Sequence, residues 1–298
     1  MTEGVDNEQL FQAVGQAQKA SLKQSVIDYY NQCWLSRFNS GHNPKSLAMH
    51  MGFFDEKTLD NDQAKLNMNS FLAHELGLPA NQHVNVLDAG CGVGGTCFYI
   101  AENFPETTVT GVNFSEEQVA TAERFRNSKN SGGRVEFVVA DYSYTGLEAN
   151  SFDLVYLVES LCHAEVKLAV YTEAMRVLKP AGKLVILDYV QTEQADDSIT
   201  AQQLVDFEKG WAVKQYVLQP DEELKSVGFE KVCSQSLTSY VLPGIRLSSQ
   251  RSAERLKAPN GYAKNSLMIS HFKACVSLQE LVEKNVIDYR IISACKPS

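Results

Sequence analysis

The chain has 298 residues, 44% of them hydrophobic, with 36 acidic against 27 basic side chains for a net charge of −9. An ordinary packed core is expected, and the lack of any long Lys/Arg run argues against nucleic acid as a partner, since a duplex demands a basic footprint. The acidic opening Met1-Thr2-Glu3-Gly4-Val5-Asp6 is unlike a targeting peptide, no apolar run approaches the ~18 residues of a membrane span, and the seven cysteines form no CxxC pair, so a cytoplasmic protein with reduced thiols is expected.

In chain order, residues 5 to 40 are expected to be helical, with Val26, Tyr29, Tyr30, Cys33 and Trp34 as the clearest apolar stripe and Leu10, Phe11, Val14 and Leu22 ahead of it. A loop over 39 to 46 leads into His50-Met51-Gly52-Phe53-Phe54-Asp55. A second amphipathic helix runs from Leu59 to Leu76 and is stopped by Gly77-Leu78-Pro79. Residues 1–82 thus read as a helical cap ahead of a core.

From 83 the pattern alternates. Strands are predicted at 84–88, 108–113, 134–140, 152–158 and 183–190, and helices at 95–104, 115–129, 164–178 and 220–227. That rhythm implies an α/β fold with a doubly wound, mostly parallel sheet. Lys179-Pro180-Ala181-Gly182 reads as a turn before the fifth strand. Residues 83–190 form the core. Residues 191–298 add one helix over 196–218, carrying Trp211 and Tyr216, and a sixth strand, Phe229 to Leu237. Helices at 246–257 and 264–284, joined by Pro259-Asn260-Gly261, precede a seventh strand, Val286 to Cys295. Two strands able to form a hairpin are separated by this helical insertion.

Ligands of open α/β sheets bind beyond the carboxyl ends of the strands. The first end is Asp88-Ala89-Gly90-Cys91-Gly92-Val93-Gly94-Gly95. Its glycines at 90, 92 and 95 let the backbone turn and a ligand approach, and the next helix points its N-terminus at that ligand. Asp88 repels a pyrophosphate and suits a ligand bearing an amine. The second end carries Asn113, an uncharged hydrogen-bonder where a ribose-binding acid is usual, with Ser115 as N-cap and Gln118 closing a capping box or reaching the ligand. The third is Asp141-Tyr142, an acid beside a ring. The fourth is Glu159-Ser160-Leu161-Cys162-His163, with Glu159 and His163 at the pocket mouth. Cys162-His163 has no second ligand pair, so no metal is expected.

Residues 87–95, Ala140-Asp141 and Arg176-Val177-Leu178-Lys179-Pro180-Ala181-Gly182 resemble the motifs of class I S-adenosylmethionine-dependent methyltransferases, Ala181 replacing a more usual glycine. Gly111, Ser115 and Gln118, His50 to Asp55 and Glu159 to His163 are similar to segments of the tocopherol, sterol C-24, prenyl-diphosphate and cyclopropane-fatty-acid enzymes. The resemblance implies a seven-stranded Rossmann-like fold with a helical lid between strands six and seven, and S-adenosylmethionine as cofactor. It places Asp88, Gly90 and Gly92 at the methionine part, Asn113 and Gln118 at the ribose, Asp141 and Tyr142 at the adenine, and Tyr30 over the cofactor.

The implied reaction is in-line attack of a small lipophilic acceptor on the sulfonium methyl, with C-methylation of a terpenoid or prenyl-type alkene favoured. Tyr29, Tyr30, Phe53, Phe54 and Glu159 are then candidates for stabilising a carbocation. The alternative is O- or N-methylation of a phenol or amine, which needs a base; His50 and His163 are the candidates. An NAD-dependent oxidoreductase is disfavoured by Asp88 and Asn113, and a silent cofactor-binding module by the intact loop. Arg246, Arg251 and Arg255 either grip a diphosphate or form a solvated helix face.

Overall fold

The computed structural model describes residues 23–35, 45–79, 81–129, 133–192, 198–213, 220–257 and 265–298. The expected helical residues Leu10, Phe11, Val14 and Leu22, the loop before 45, Tyr216 and the Pro259-Asn260-Gly261 link lie outside these.

Helix α1 runs from 23 and closes in a π-helical turn, Asn31–Leu35. Helix α2 spans Asn61–Leu76; the Asp60 side chain caps its start by accepting the Gln63 N–H, and Gly77 ends it at φ 71°. The core follows as β1 (Val84–Ala89), α3 (Gly95–Asn103), β2 (Thr107–Asn113), α4 (Glu116–Arg126), β3 (Val135–Val139), β4 (Phe152–Val158), α5 (Lys167–Val177) and β5 (Leu178–Gln191). Then come α6 (Ser198–Trp211), α7 (Pro220–Val227), β6 (Glu230–Ser236), α8 (Thr238–Lys257), α9 (Ser266–Glu283) and β7 (Ile287–Cys295).

The seven strands form one sheet in the order β3-β2-β1-β4-β5-β7-β6. All neighbours are parallel except at β7, which is antiparallel to both β5 and β6. The strand order reverses between β1 and β4, which makes the switch-point crevice in which such sheets bind ligands. Alternation along the strands divides two cores. Val86, Tyr156, Val185 and Leu187 face α2, α3 and the α8–α9 pair, while Leu87, Val155, Leu157, Leu184 and Ile186 face α5 and α7. Each fully buried Val, Leu or Ile side chain contributes about 1.5–3 kcal/mol relative to exposure.

Four boundaries differ from expectation, the first being that of α6, which ends at Trp211, where Ala212 takes φ 53°, short of the expected residue 218. Lys179 to Gly182 do not interrupt β5 but form a bulge within it: Phe152 pairs with Leu178, and Leu154 with Lys183. Ala181 there sits at φ 62°. Helix α8 begins at Thr238, well before residue 246, and carries Pro243 inside its second turn. Helix α5 starts at Lys167, since Leu161–His163 form a separate 3-10 turn.

Candidate active site

The glycine loop leaves β1 with Gly90 at φ 107° and Gly92 at φ 56°, in the left-handed region that favours glycine. A Cβ on Gly90 would lie 2.4 Å from Ser160 Cβ, and one on Gly92 2.2 Å from Met49 Cε. Asp88 is 3% exposed. Its Oδ2 accepts the Tyr156 hydroxyl at 2.8 Å and the Cys97 thiol at 3.1 Å. Burial raises its pKa from 3.8 to about 6 against these two bonds. The carboxylate borders a pocket of about 350 Å³ shared with Gly90, Gly92 and Thr96.

Beyond β2, Asn113 Oδ1 accepts the Ser115 N–H at 2.9 Å and Asn113 Nδ2 donates to Gln118 Oε1 at 3.3 Å. The expected capping box is therefore half made. Ser115 Oγ accepts the Gln118 N–H, but the Gln118 amide meets Asn113 instead of returning to the Ser115 backbone. Both amides line a cavity of about 510 Å³ with Gly90, Gly92 and Tyr142. Asp141 lies outside that lining. It borders an adjoining pocket with Tyr142 and Phe114. Its Oδ1 accepts the Ser143 N–H at 2.9 Å and the Ser143 hydroxyl at 2.5 Å, and its Oδ2 pairs with Lys23 of α1. Tyr142 spans the two pockets and donates its hydroxyl to the Ser160 carbonyl at 2.8 Å.

A larger cavity, with about 1090 Å³ of empty space, adjoins the first, and Tyr30, Met49, His50, Glu159 and His163 line both. Glu159 follows β4 at φ 49°, a strained backbone of the kind that concentrates at functional sites. Its Oε1 accepts the Met51 N–H at 2.6 Å and the Tyr289 hydroxyl at 3.0 Å. Burial raises its pKa from 4.5 to about 7, although both bonds pull the other way.

The two histidines are fully engaged. His50 Nδ1 lies 2.8 Å from the Met51 carbonyl and Nε2 3.0 Å from the Asn69 amide. Burial lowers its pKa to about 4, helped by nearby Lys65. A neutral ring donates from one nitrogen only, to the Met51 carbonyl or to Asn69 Oδ1, which also accepts the Thr96 hydroxyl at 3.0 Å. His163 Nδ1 lies 3.1 Å from the Ala212 carbonyl and its Nε2 2.8 Å from the Tyr30 hydroxyl. With Nδ1 donating to the carbonyl, Tyr30 donates to Nε2.

The walls of the large cavity are aromatic, and of the four rings first expected Tyr29 and Tyr30 line it while Phe53 and Phe54 do not. Phe53 is stacked between Phe71 and Tyr240 at 4.9 and 4.3 Å, and Phe54 packs on Gly244. Gly52 touches α2 so closely that a Cβ would lie 2.5 Å from Ala64 Cβ. The segment from His50 to Asp55 is thus a strap between α2 and α8. Tyr29, Tyr30, Trp34, Tyr189, Trp211 and His271 form the lining instead. Trp211 stacks on His271 at 6.2 Å, and Tyr29 bonds to His271 Nδ1 at 3.1 Å. Tyr189 sits near the carboxyl end of β5, a fifth strand end that the same positional rule identifies. Among the described residues, no three His, Cys, Asp or Glu side chains gather in a metal-binding group.

Residues 87–186 match the methyltransferase domain family. Solved structures of similar fold include the cyclopropane synthase MmaA2 from Mycobacterium tuberculosis, at TM-score 0.79 and 15% identity over 92% of this chain and 98% of that one. Geranyl diphosphate C-methyltransferase from Streptomyces coelicolor, solved with Mg2+, geranyl diphosphate and S-adenosyl-L-homocysteine, has TM-score 0.65 at 15% identity, covering 92% of this chain and 98% of that one. The sterol 24-C-methyltransferase of Debaryomyces hansenii is 32% identical over 209 residues, 69% of this chain and 52% of its own length. The chain spans about half the length of the curated relatives it matches. The domain matched over residues 87–186 and the fold are those of the class I S-adenosylmethionine-dependent methyltransferases. Within that class the chain resembles the sterol C-24 and prenyl-diphosphate C-methyltransferases.

Proposed function

We propose that the chain transfers the methyl group of S-adenosylmethionine to an alkene carbon of a lipophilic, terpenoid-type acceptor. The observation that carries this reading is the wall between the two cavities. It holds one carboxylate, Glu159, and two imidazoles whose nitrogens are all engaged within the protein. Deprotonating a phenol or amine calls for a base at that wall, and with both imidazoles committed to the protein only Glu159 is left to act as one. Stabilising a carbocation calls for what is there, a carboxylate among ring faces. The likeness to sterol and prenyl C-methyltransferases supports the same choice.

The residues present fit the cofactor. A Cβ would fill the cradle at Gly90 and Gly92. In this reading the loop and Asp88 hold the methionine part, with Asp88 facing its amine, and Asn113 and Gln118 take the ribose. Asp141 and Tyr142 take the adenine, Lys23 yielding its place on Asp141. When bound, the sulfonium supplies an electrophilic methyl group. The chain's work is position and dryness, and alignment alone can supply about 7–11 kcal/mol. Tyr30, fixed to His163, partitions the cavities and covers the cofactor, and His50 anchors the strap that presents Met51 to Glu159. Glu159 as carboxylate then faces the developing cation and takes its proton when the product alkene forms.

A cytoplasmic setting fits seven cysteines of which none forms a disulfide, and no helix among the described residues is long and apolar enough to cross a membrane. The test is product analysis with labelled S-adenosylmethionine and a panel of alkenes, phenols and amines. Label on carbon is the expected result, and label confined to oxygen or nitrogen refutes it.

A further inference from the structure

Along α8 the residues lining the large cavity recur at helical spacing: Gly244, Leu247, Ser248, Arg251, Ser252 and Arg255. Off that stripe, charged side chains such as those of Arg246 and Glu254 find partners on the protein. Arg246 Nε is 2.7 Å from Glu283 Oε1, and Glu254 accepts from Gln250 at 3.4 Å. On the stripe they do not. Neither Arg251 nor Arg255 has a carboxylate within ion-pair distance among the described residues, in a chain with a surplus of nine acids. Arg255 lies over the Phe272 ring, 5.3 Å from its centroid, which steadies its guanidinium. Both arginines are exposed, so they mark the rim, while Tyr29 and Tyr189 are buried at the inner end.

The cavity is therefore polarised. Its single lining carboxylate, Glu159, lies at the end shared with the cofactor pocket. Lys65, also lining, holds the Ala48 carbonyl at 2.8 Å. Two arginine forks one helical turn apart suit one oxyanion.

We propose that Arg251 and Arg255 grip an oxyanion head, phosphate or carboxylate, on the non-reacting end of the acceptor. The acceptor is then an anionic amphiphile whose apolar tail reaches inward, not a neutral alcohol. This rests on reading the cavity as the acceptor site.

The test needs no methyl transfer. The chain's two tryptophans, Trp34 and Trp211, both line the cavity, so intrinsic fluorescence reports its occupancy. The full chain is titrated with decyl phosphate, decanoate and decanol, three heads on one tail. At least one anion is expected to bind about tenfold or more tightly than decanol, the scale of a charge-assisted hydrogen bond, and the tighter anion names the head. The preference is expected to vanish in the Arg251→Gln/Arg255→Gln double variant, with decanol binding unchanged, and to survive in Arg246→Gln. Equal binding of the three ligands, no binding of the anions, or a preference that persists in the double variant overturns the proposal. Failure of the methyl-transfer reading shows separately, as intact ligand binding without a methylated product.

Discussion

The Glu159 carboxylate accepts the backbone N–H of Met51 at 2.6 Å, joining residues 108 positions apart. That bond fastens the strap from α2 to the end of β4. It also leaves Glu159 on the wall shared by the two cavities, with Tyr289 as its second donor.

Glu159→Gln keeps the shape and the acceptor oxygen but removes the charge. Turnover is expected to fall by about 10²–10³, the usual scale for losing one electrostatic or acid–base group, with cofactor affinity little changed. The deprotonated form is the active one, and its pKa is about 7. Wild-type turnover should therefore rise as pH increases through 7, and the variant's residual activity should lack that limb. Steady-state kinetics across pH, with calorimetry for the cofactor, checks both; a variant as active as wild type removes Glu159 from the chemistry.

Asp88 couples folding to pH. Its folded pKa of about 6 lies above the ordinary 3.8, so the folded state holds the proton more tightly than the unfolded chain. The stability this proton provides is complete below the unfolded pKa and lost as pH rises through 6, on the order of 3 kcal/mol over the window. Asp88→Asn keeps an acceptor for Tyr156 without the charge. Urea unfolding should show wild type losing ground to the variant between pH 4 and 7. A stability difference independent of pH would contradict the assignment. Cofactor binding to Asp88→Asn should be severely weakened, since the amine then loses its anion.

Gly92→Ala places a methyl group against Met49 Cε at a φ of 56°. Met49 lines the cofactor cavity, and swinging aside moves it within that space. Cofactor affinity is expected to fall about tenfold or more, with a stability loss of about 1 kcal/mol from backbone strain. Calorimetry and urea unfolding separate the two effects.

Ala181 makes the opposite case. It is exposed in the β5 bulge at φ 62°, a conformation glycine adopts without a Cβ penalty. Ala181→Gly should stabilise the chain by about 0.5–1 kcal/mol, read as a raised urea midpoint at constant slope.

The sheet was legible because its signals are local. Val84 to Gly95 holds strand, acid and turn in twelve consecutive positions, and the alternation of Val185 and Leu187 with Leu184 and Ile186 is visible without knowing what each face meets. The cofactor pocket follows from it, since Asn113 and Gln118 stand at strand ends. The acceptor cavity was less legible because its wall is assembled from α1, α6, α8 and α9, whose mutual packing no local pattern encodes. Phe53 and Phe54 look like cavity rings by composition, yet the close approach of Gly52 to Ala64 turns them between helices. Trp211 and His271 look like ordinary core residues, yet stack together on the wall. The capping box at Ser115 was half right because Asn113, two residues earlier, competes for the Ser115 N–H.

The methyl group's destination is the most direct test of the proposed reaction. The full chain, incubated with S-adenosylmethionine carrying a labelled methyl group and with sterol, prenyl-diphosphate and prenyl-carboxylate alkenes, should yield a product one methylene heavier with the label on carbon, and Glu159→Gln should yield little. Label on oxygen or nitrogen, or no product from a chain that binds S-adenosylmethionine and an alkene together, would contradict it.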